Sequence, residues 1–191
     1  MKLGRLLLRA TVGGFFIGHG TQKLFGWFGG HGLDATGQMF ENLGLRPGRR
    51  NAIAAGAAEA GGGALLAAGL ATPVGAAVIT ATMLTAIHRV HLKNGPWASN
   101  GGYEYNAVLI AAALTLAEIG PGKPSLDDAL GLKLSGPAWA TAAALGGVAG
   151  AVGARVAASS QAAPEPAPEP AATETNSQPS PEPVTAQTPA E

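Results

Sequence analysis

Residues 13–31 read GGFFIGHGTQKLFGWFGGH, and the rest of the chain is organised around them. Phe15, Phe16, Ile17, Leu24, Phe25, Trp27 and Phe28 make the stretch apolar enough to enter a bilayer, yet it carries His19 and Lys23. On a helix those two positions are one turn apart and share a face. Ionisable groups surrounded by hydrocarbon are costly unless they meet partners or water. A membrane helix here therefore requires something polar opposite His19 and Lys23.

The composition agrees with a membrane setting. The chain has 191 residues, 47% hydrophobic and 13% charged, against about 25% charged in soluble domains. The formal net charge is zero, but no Lys or Arg follows Arg155, whereas Glu165, Glu169, Glu174, Glu182 and Glu191 do. The body before the tail is thus mildly basic, which suits contact with a lipid bilayer. It has no dense basic patch of the kind that marks a nucleic-acid partner. With no cysteine in the chain, disulfides, thiolate chemistry, cysteine-ligated iron–sulfur clusters and zinc–cysteine sites are excluded. A redox role would have to run through a bound cofactor or a partner. Lys2 and Arg5 before Leu6–Leu8 resemble the start of a signal peptide, but Arg9 interrupts the apolar run and GHGTQKLFGWF is a poor cleavage site. An uncleaved membrane helix is expected.

That first helix is expected over 4–28, longer than the roughly 30 Å hydrocarbon core requires. Arg9 would snorkel at one end, and Trp27 and Phe28 would sit in the interfacial belt at the other. After the Gly29–Gly32 break, Asp34 is a candidate cap for a short segment over 35–43, lying in the interface or folding back over the helices. A second helix over 51–70 carries Glu59 near its middle and the run Gly61, Gly62, Gly63, which favours close helix contact in a membrane. Thr72-Pro73 turns the chain into a third helix over 74–91, with Thr80, Thr82 and Thr85 bonding back to its backbone and HRVH (88–91) at its end. A turn-rich loop over 92–102 leads to a fourth helix over 103–119, and Ser125 caps a short segment beyond it. The expected fold is all-α: a transmembrane four-helix bundle over 1–133, a fifth Ala/Gly-rich transmembrane helix within 134–158, and a disordered Pro/Glu/Ala-rich tail over 159–191.

Alternating helix direction fixes depths. His19 and Lys23, Glu59, the trio His88, Arg89 and His91, and Glu104 with Tyr105 and Asn106 all fall in the same half of the membrane. Arg9 and Glu118 fall near the other face, where they would pair. A cluster of His19, Lys23, Glu59, His88, Arg89 and Glu104 can neutralise itself, although His91 and Glu104 near helix ends equally suit simple capping. His88 and His91, with His19 and Glu59, could ligate a metal or a haem, but no diagnostic spacing is present and Lys23 and Arg89 repel a cation. A quinone-like or anionic head group fits the donors better, with His19 or His88 moving protons. No nucleophile–base pair, P-loop or GxGxxG after a strand is readable, so no catalytic residue is assigned. Basic residues lie near both ends of the expected helices, so the charge count chooses no orientation.

The phrase GHGTQKLFGWFGGHGL (18–33), the helix carrying Glu59, HRVHLKNG (88–95), NGGYEYN (100–106) and GPGKPSLDDALG (120–131) together resemble the DoxX family of bacterial membrane proteins. The resemblance covers about 1–133 and leaves the fifth helix and the tail unexplained. It implies a small multi-pass protein of the bacterial plasma membrane, associated with redox complexes and their membrane or soluble redox partners. By motif match it carries over His19, Gln22, Lys23, Glu59, His88 and Glu104, to which the residue reading adds Arg89. Three functions follow for testing: a redox-complex subunit whose pocket takes a quinone or small polar ligand, a non-catalytic anchor recruiting soluble partners, or a small-solute transporter. No internal repeat of the transporter kind is visible.

Overall fold

A computed structural model describes residues 3–159, and among these it is all-α, without strands. The acidic tail from residue 160 onward, expected to be disordered, lies outside the described residues, as does Lys2. The helices are α1 (Leu3–Phe25), α2 (Gly32–Asn42), α3 (Gly48–Ala68), α4 (Thr72–Ala86), α5 (Glu104–Ile119), α6 (Leu126–Ala129) and α7 (Pro137–Ser159). α4 continues through a π turn, Ile87–His91, and a 3-10 turn, Leu92–Asn94. By length and hydropathy two of these could cross a membrane: α4 with its continuation, Thr72–Asn94, and Pro137–Ala158 within α7. α5, at 16 residues, is shorter than the roughly 20 a perpendicular span needs.

α1 stops at Phe25, three residues before the expected end, because Gly26 takes a left-handed φ of 73°. The chain then folds back so closely that a Cβ on Gly30 would lie 2.5 Å from Gln22 Cβ. His31 rather than Asp34 stands at the N-cap position of α2, without a side-chain capping bond; Asp34 sits in the first turn and reaches Arg49 at 3.6 Å.

Small residues set the helix spacing. A Cβ on Gly13 would lie 2.5 Å from the Gly63 carbonyl oxygen, and one on Gly20 would fall against that of Gly56. α1 and α3 thus meet backbone to backbone, which the glycine run in α3 permits. α7 runs parallel to α4 and repeats the device: Gly147 abuts Thr80, and a Cβ on Gly150 would lie 3.0 Å from that of Ala81. Thr82 and Thr85 bond back to their own helix as expected, but Thr80 does not; its hydroxyl is buried without a partner beneath α7. Phe16, Leu66, Ile79 and Leu116 fill the core between the helices.

The end of the molecule opposite His19 is closed by residues 120–132. Ala71, which precedes α4, has no side-chain cap to offer. Asp127 supplies one from 55 residues away, accepting from Thr72 N and Oγ1 and from Ala71 N at 2.8 Å, while its own N–H donates to Gly69 O. Ser125 caps α6 as expected. This cover also changes the fate of Arg9. It does not snorkel: it is 4% exposed and donates to Pro124 O, not to Glu118, with Nε and Nη1 left unpartnered. The segment packed over it closes its route to solvent.

Two stability outcomes follow. Gly20→Ala should cost about 2 kcal/mol by forcing two backbones apart, whereas Gly14→Ala, with nothing within 4 Å of its Cβ, should be neutral or stabilising; thermal unfolding in detergent reads the difference. Asp127→Ala should cost about 2–3 kcal/mol, since it strips a buried cap from α4, and the neighbouring Asp128→Ala should cost clearly less in the same assay.

Candidate functional site

Because α1 and α3 approach through glycine, polar side chains one turn further on meet directly. Lys23 Nζ donates to Glu59 Oε2 at 2.6 Å, with the lysine side chain 24% exposed and the glutamate 8%. The pair stands in the wall of a cavity of about 560 Å³. Phe16 and His19 of α1 line it, as do Met39 and Phe40 of α2, which folds over the opening. Ala55 and Ala58 of α3, Val78 and Met83 of α4, and Leu109 of α5 continue its largely apolar surface. Arg89, His91, Tyr105 and Asn106 complete the polar part, while α7 contributes Gly150 and Ala154.

Of the residues singled out from the sequence, His19, Lys23, Glu59 and Arg89 therefore line one chamber. Gln22 does not line it but holds the turn beside it: its Nε2 donates to Phe28 O at 3.3 Å and its Oε1 accepts from His19 Nδ1 at 3.1 Å. With its proton on Nδ1, a neutral His19 keeps the Nε2 lone pair free. His88 and Glu104 stand elsewhere. His88 faces Arg155 of α7, and Glu104 accepts from Ala98 N at 2.7 Å, bracing the loop before α5. His91 takes part in both settings, since Nδ1 donates to Gly101 O at 2.7 Å while the ring borders the cavity.

The π turn explains how three neighbouring polar residues separate. An extra residue in the turn shifts the helical phase, a feature frequent at functional sites. Tyr105 and Asn106, placed from the sequence in the same half of the bundle but not among the candidate site residues, line the cavity. Asn106 is 7% exposed and its Nδ2 reaches only the weak acceptor Met83 Sδ, at 3.3 Å. The cavity thus offers N–H and O–H donors (Lys23, Arg89, Asn106, Tyr105), one paired carboxylate and the rings of two histidines, His19 and His91. Among the described residues no group of three or more His, Asp or Glu is placed to hold a metal ion.

Among the described residues these features define an all-α protein whose closely packed helices line a half-open amphipathic chamber, with an ion pair in its wall whose carboxylate is buried. The chain belongs to the DoxX family, whose model matches residues 4–92. It is 34% identical over 115 residues, 60% of this chain and 79% of the relative, to a Bacillus subtilis (strain 168) protein named "Putative oxidoreductase CatD". No solved structure matches it.

Removing one partner of the pair leaves the other buried and uncompensated, the costly half of ion-pair energetics. Lys23→Met and Glu59→Gln should each lower stability, by up to about 3 kcal/mol, reduced by the partial exposure of the lysine. Combined, they should cost less than their sum, with a coupling of about 2 kcal/mol in a double-mutant cycle read by thermal unfolding.

Proposed function

We propose that this chain is a multi-pass protein of the bacterial plasma membrane that serves a redox complex, and that its chamber seats the head group of a quinone or a ligand of similar size and polarity. In this reading a DoxX domain over 1–133 is completed by a fifth membrane-crossing helix within 134–158. The observation that carries the proposal is the Lys23–Glu59 pair, held at 2.6 Å in the wall of a chamber that is otherwise mostly apolar. Intramembrane ionisable groups are retained where they bind or relay something. Family membership supports the membrane setting, and the oxidoreductase name of the Bacillus subtilis relative supports the redox link.

Each residue then has a role in keeping with its chemistry. Lys23 and the Asn106 amide donate to ring carbonyl oxygens. Phe16, Met39 and Phe40 cover the ring faces and exclude water. His19 presents Nε2 for proton exchange, oriented by Gln22. Quinone reduction takes two electrons and two protons; a chain without cysteine receives the electrons from a partner redox protein and contributes the seat and the protons.

Full-length protein purified in mild detergent should retain quinone detectable by mass spectrometry of an organic extract. Asn106→Leu, which removes a donor without touching the ion pair, should weaken rebinding of a short-chain quinone roughly tenfold, the worth of one hydrogen bond to a buried group. Lys23→Met should abolish it. Undiminished binding in both variants would sink the quinone seat and favour an anchoring role.

A further inference from the structure

The π turn sends His88 away from the chamber and towards α7, where it borders a second, smaller cavity of about 130 Å³. Leu45, Leu84 and Val152 form its apolar wall; His88, Arg89 and Arg155 supply its charged and donor groups. Arg155 Nη1 lies 3.1 Å from His88 Nε2, so the arginine donates and the imidazole is held as the Nδ1–H tautomer. Among the described residues no carboxylate lines this cavity. Among the described residues the Lys and Arg ion pairs are made by Lys23, Arg46, Arg49 and Lys123, and none reaches Arg89 or Arg155. Among the described residues Arg89 hydrogen-bonds only to the Leu43 carbonyl, at 3.4 Å, the long limit of a hydrogen bond.

Two guanidinium groups that share a cavity without an acid repel each other unless an anion joins them. We infer that this cavity is a phosphate site in which Arg155 and Arg89 are the ligands. His88 holds Arg155 by one N–H, which leaves its other donors to form a fork on two phosphate oxygens. Arginine suits this task because its fork matches the spacing of phosphate oxygens, where lysine offers a single point charge. The source of the phosphate is either the head group of a membrane lipid, whose first acyl carbons the wall of Leu84 and Val152 would meet, or a free anion. Basic pockets between membrane helices take anionic head groups by this chemistry. The lipid source rests on the membrane placement proposed above; the site itself does not depend on the quinone reading.

The test uses the full chain, delipidated in mild detergent, and three probes: phosphatidylglycerol, phosphatidylcholine and inorganic phosphate, followed by native mass spectrometry and isothermal titration. The intact chain should bind phosphatidylglycerol or inorganic phosphate saturably, and phosphatidylglycerol more tightly than phosphatidylcholine. Arg155→Gln should weaken the bound probe roughly tenfold, as expected for a lost charge-assisted pair. Arg155→Lys should recover part of the loss. Arg155 is exposed, so its variants should keep the helix content of the parent, and short-chain quinone binding in the large chamber should persist. A response to phosphatidylglycerol alone assigns a lipid head group, and a response to inorganic phosphate with the same dependence on Arg155 assigns a free anion. The inference is overturned if the intact chain binds neither probe saturably, or if binding is unchanged in Arg155→Gln.

Discussion

A lysine and a glutamate meeting at 2.6 Å on two crossing helices constrain the rest of this structure. The Glu59 carboxylate is buried and would be costly alone, and the attraction of Lys23 offsets its desolvation only if the geometry is good. Good geometry demands that α1 and α3 approach closely, which in turn demands glycine at 13, 20, 56 and 63. The glycines that look extravagant for helix propensity are therefore the condition under which the polar pair can exist. What glycine loses in backbone entropy, the helices recover in close contact and in a satisfied carboxylate.

The two ends of the molecule answer to different demands. At the end bearing His19, the helices part enough to leave a chamber, and α2 folds across it. At the other end, residues 120–132 close over Arg9, with Asp127 tying α4 to the turn that precedes it. One end is tightly sealed by hydrogen bonds to backbone, and the other holds a cavity with donors to spare.

Much of this was legible in the residues. Hydropathy and small-residue runs announced an all-α chain, and alternating helix direction placed His19, Lys23, Glu59 and Arg89 at one depth, where the structure lines them around one cavity. Depth counting has a blind side, however: it fixes height but not the direction in which a side chain points. His88 faces α7 because a π turn shifts the phase that a regular helix would have kept, and Glu104, at the start of α5, faces the loop before it, where it accepts from Ala98 N. Asp127 was invisible as a cap because its partner lies 55 residues away. Arg155 was passed over because a lone arginine near the end of an Ala-rich helix reads as a solvated terminus until another element brings His88 to it.

The contribution of α7 to the large chamber is two residues, Gly150 and Ala154, neither of which has a side chain able to donate or accept a hydrogen bond. This helix lies beyond residues 4–92, the part that matches the family model. It therefore acts as a blank panel set against a furnished room. It adds nothing to what the chamber can recognise, and it narrows the sides from which a guest can arrive. The side chains that can hydrogen-bond in the chamber thus come from the other helices, while α7 closes one side of it with hydrocarbon and backbone.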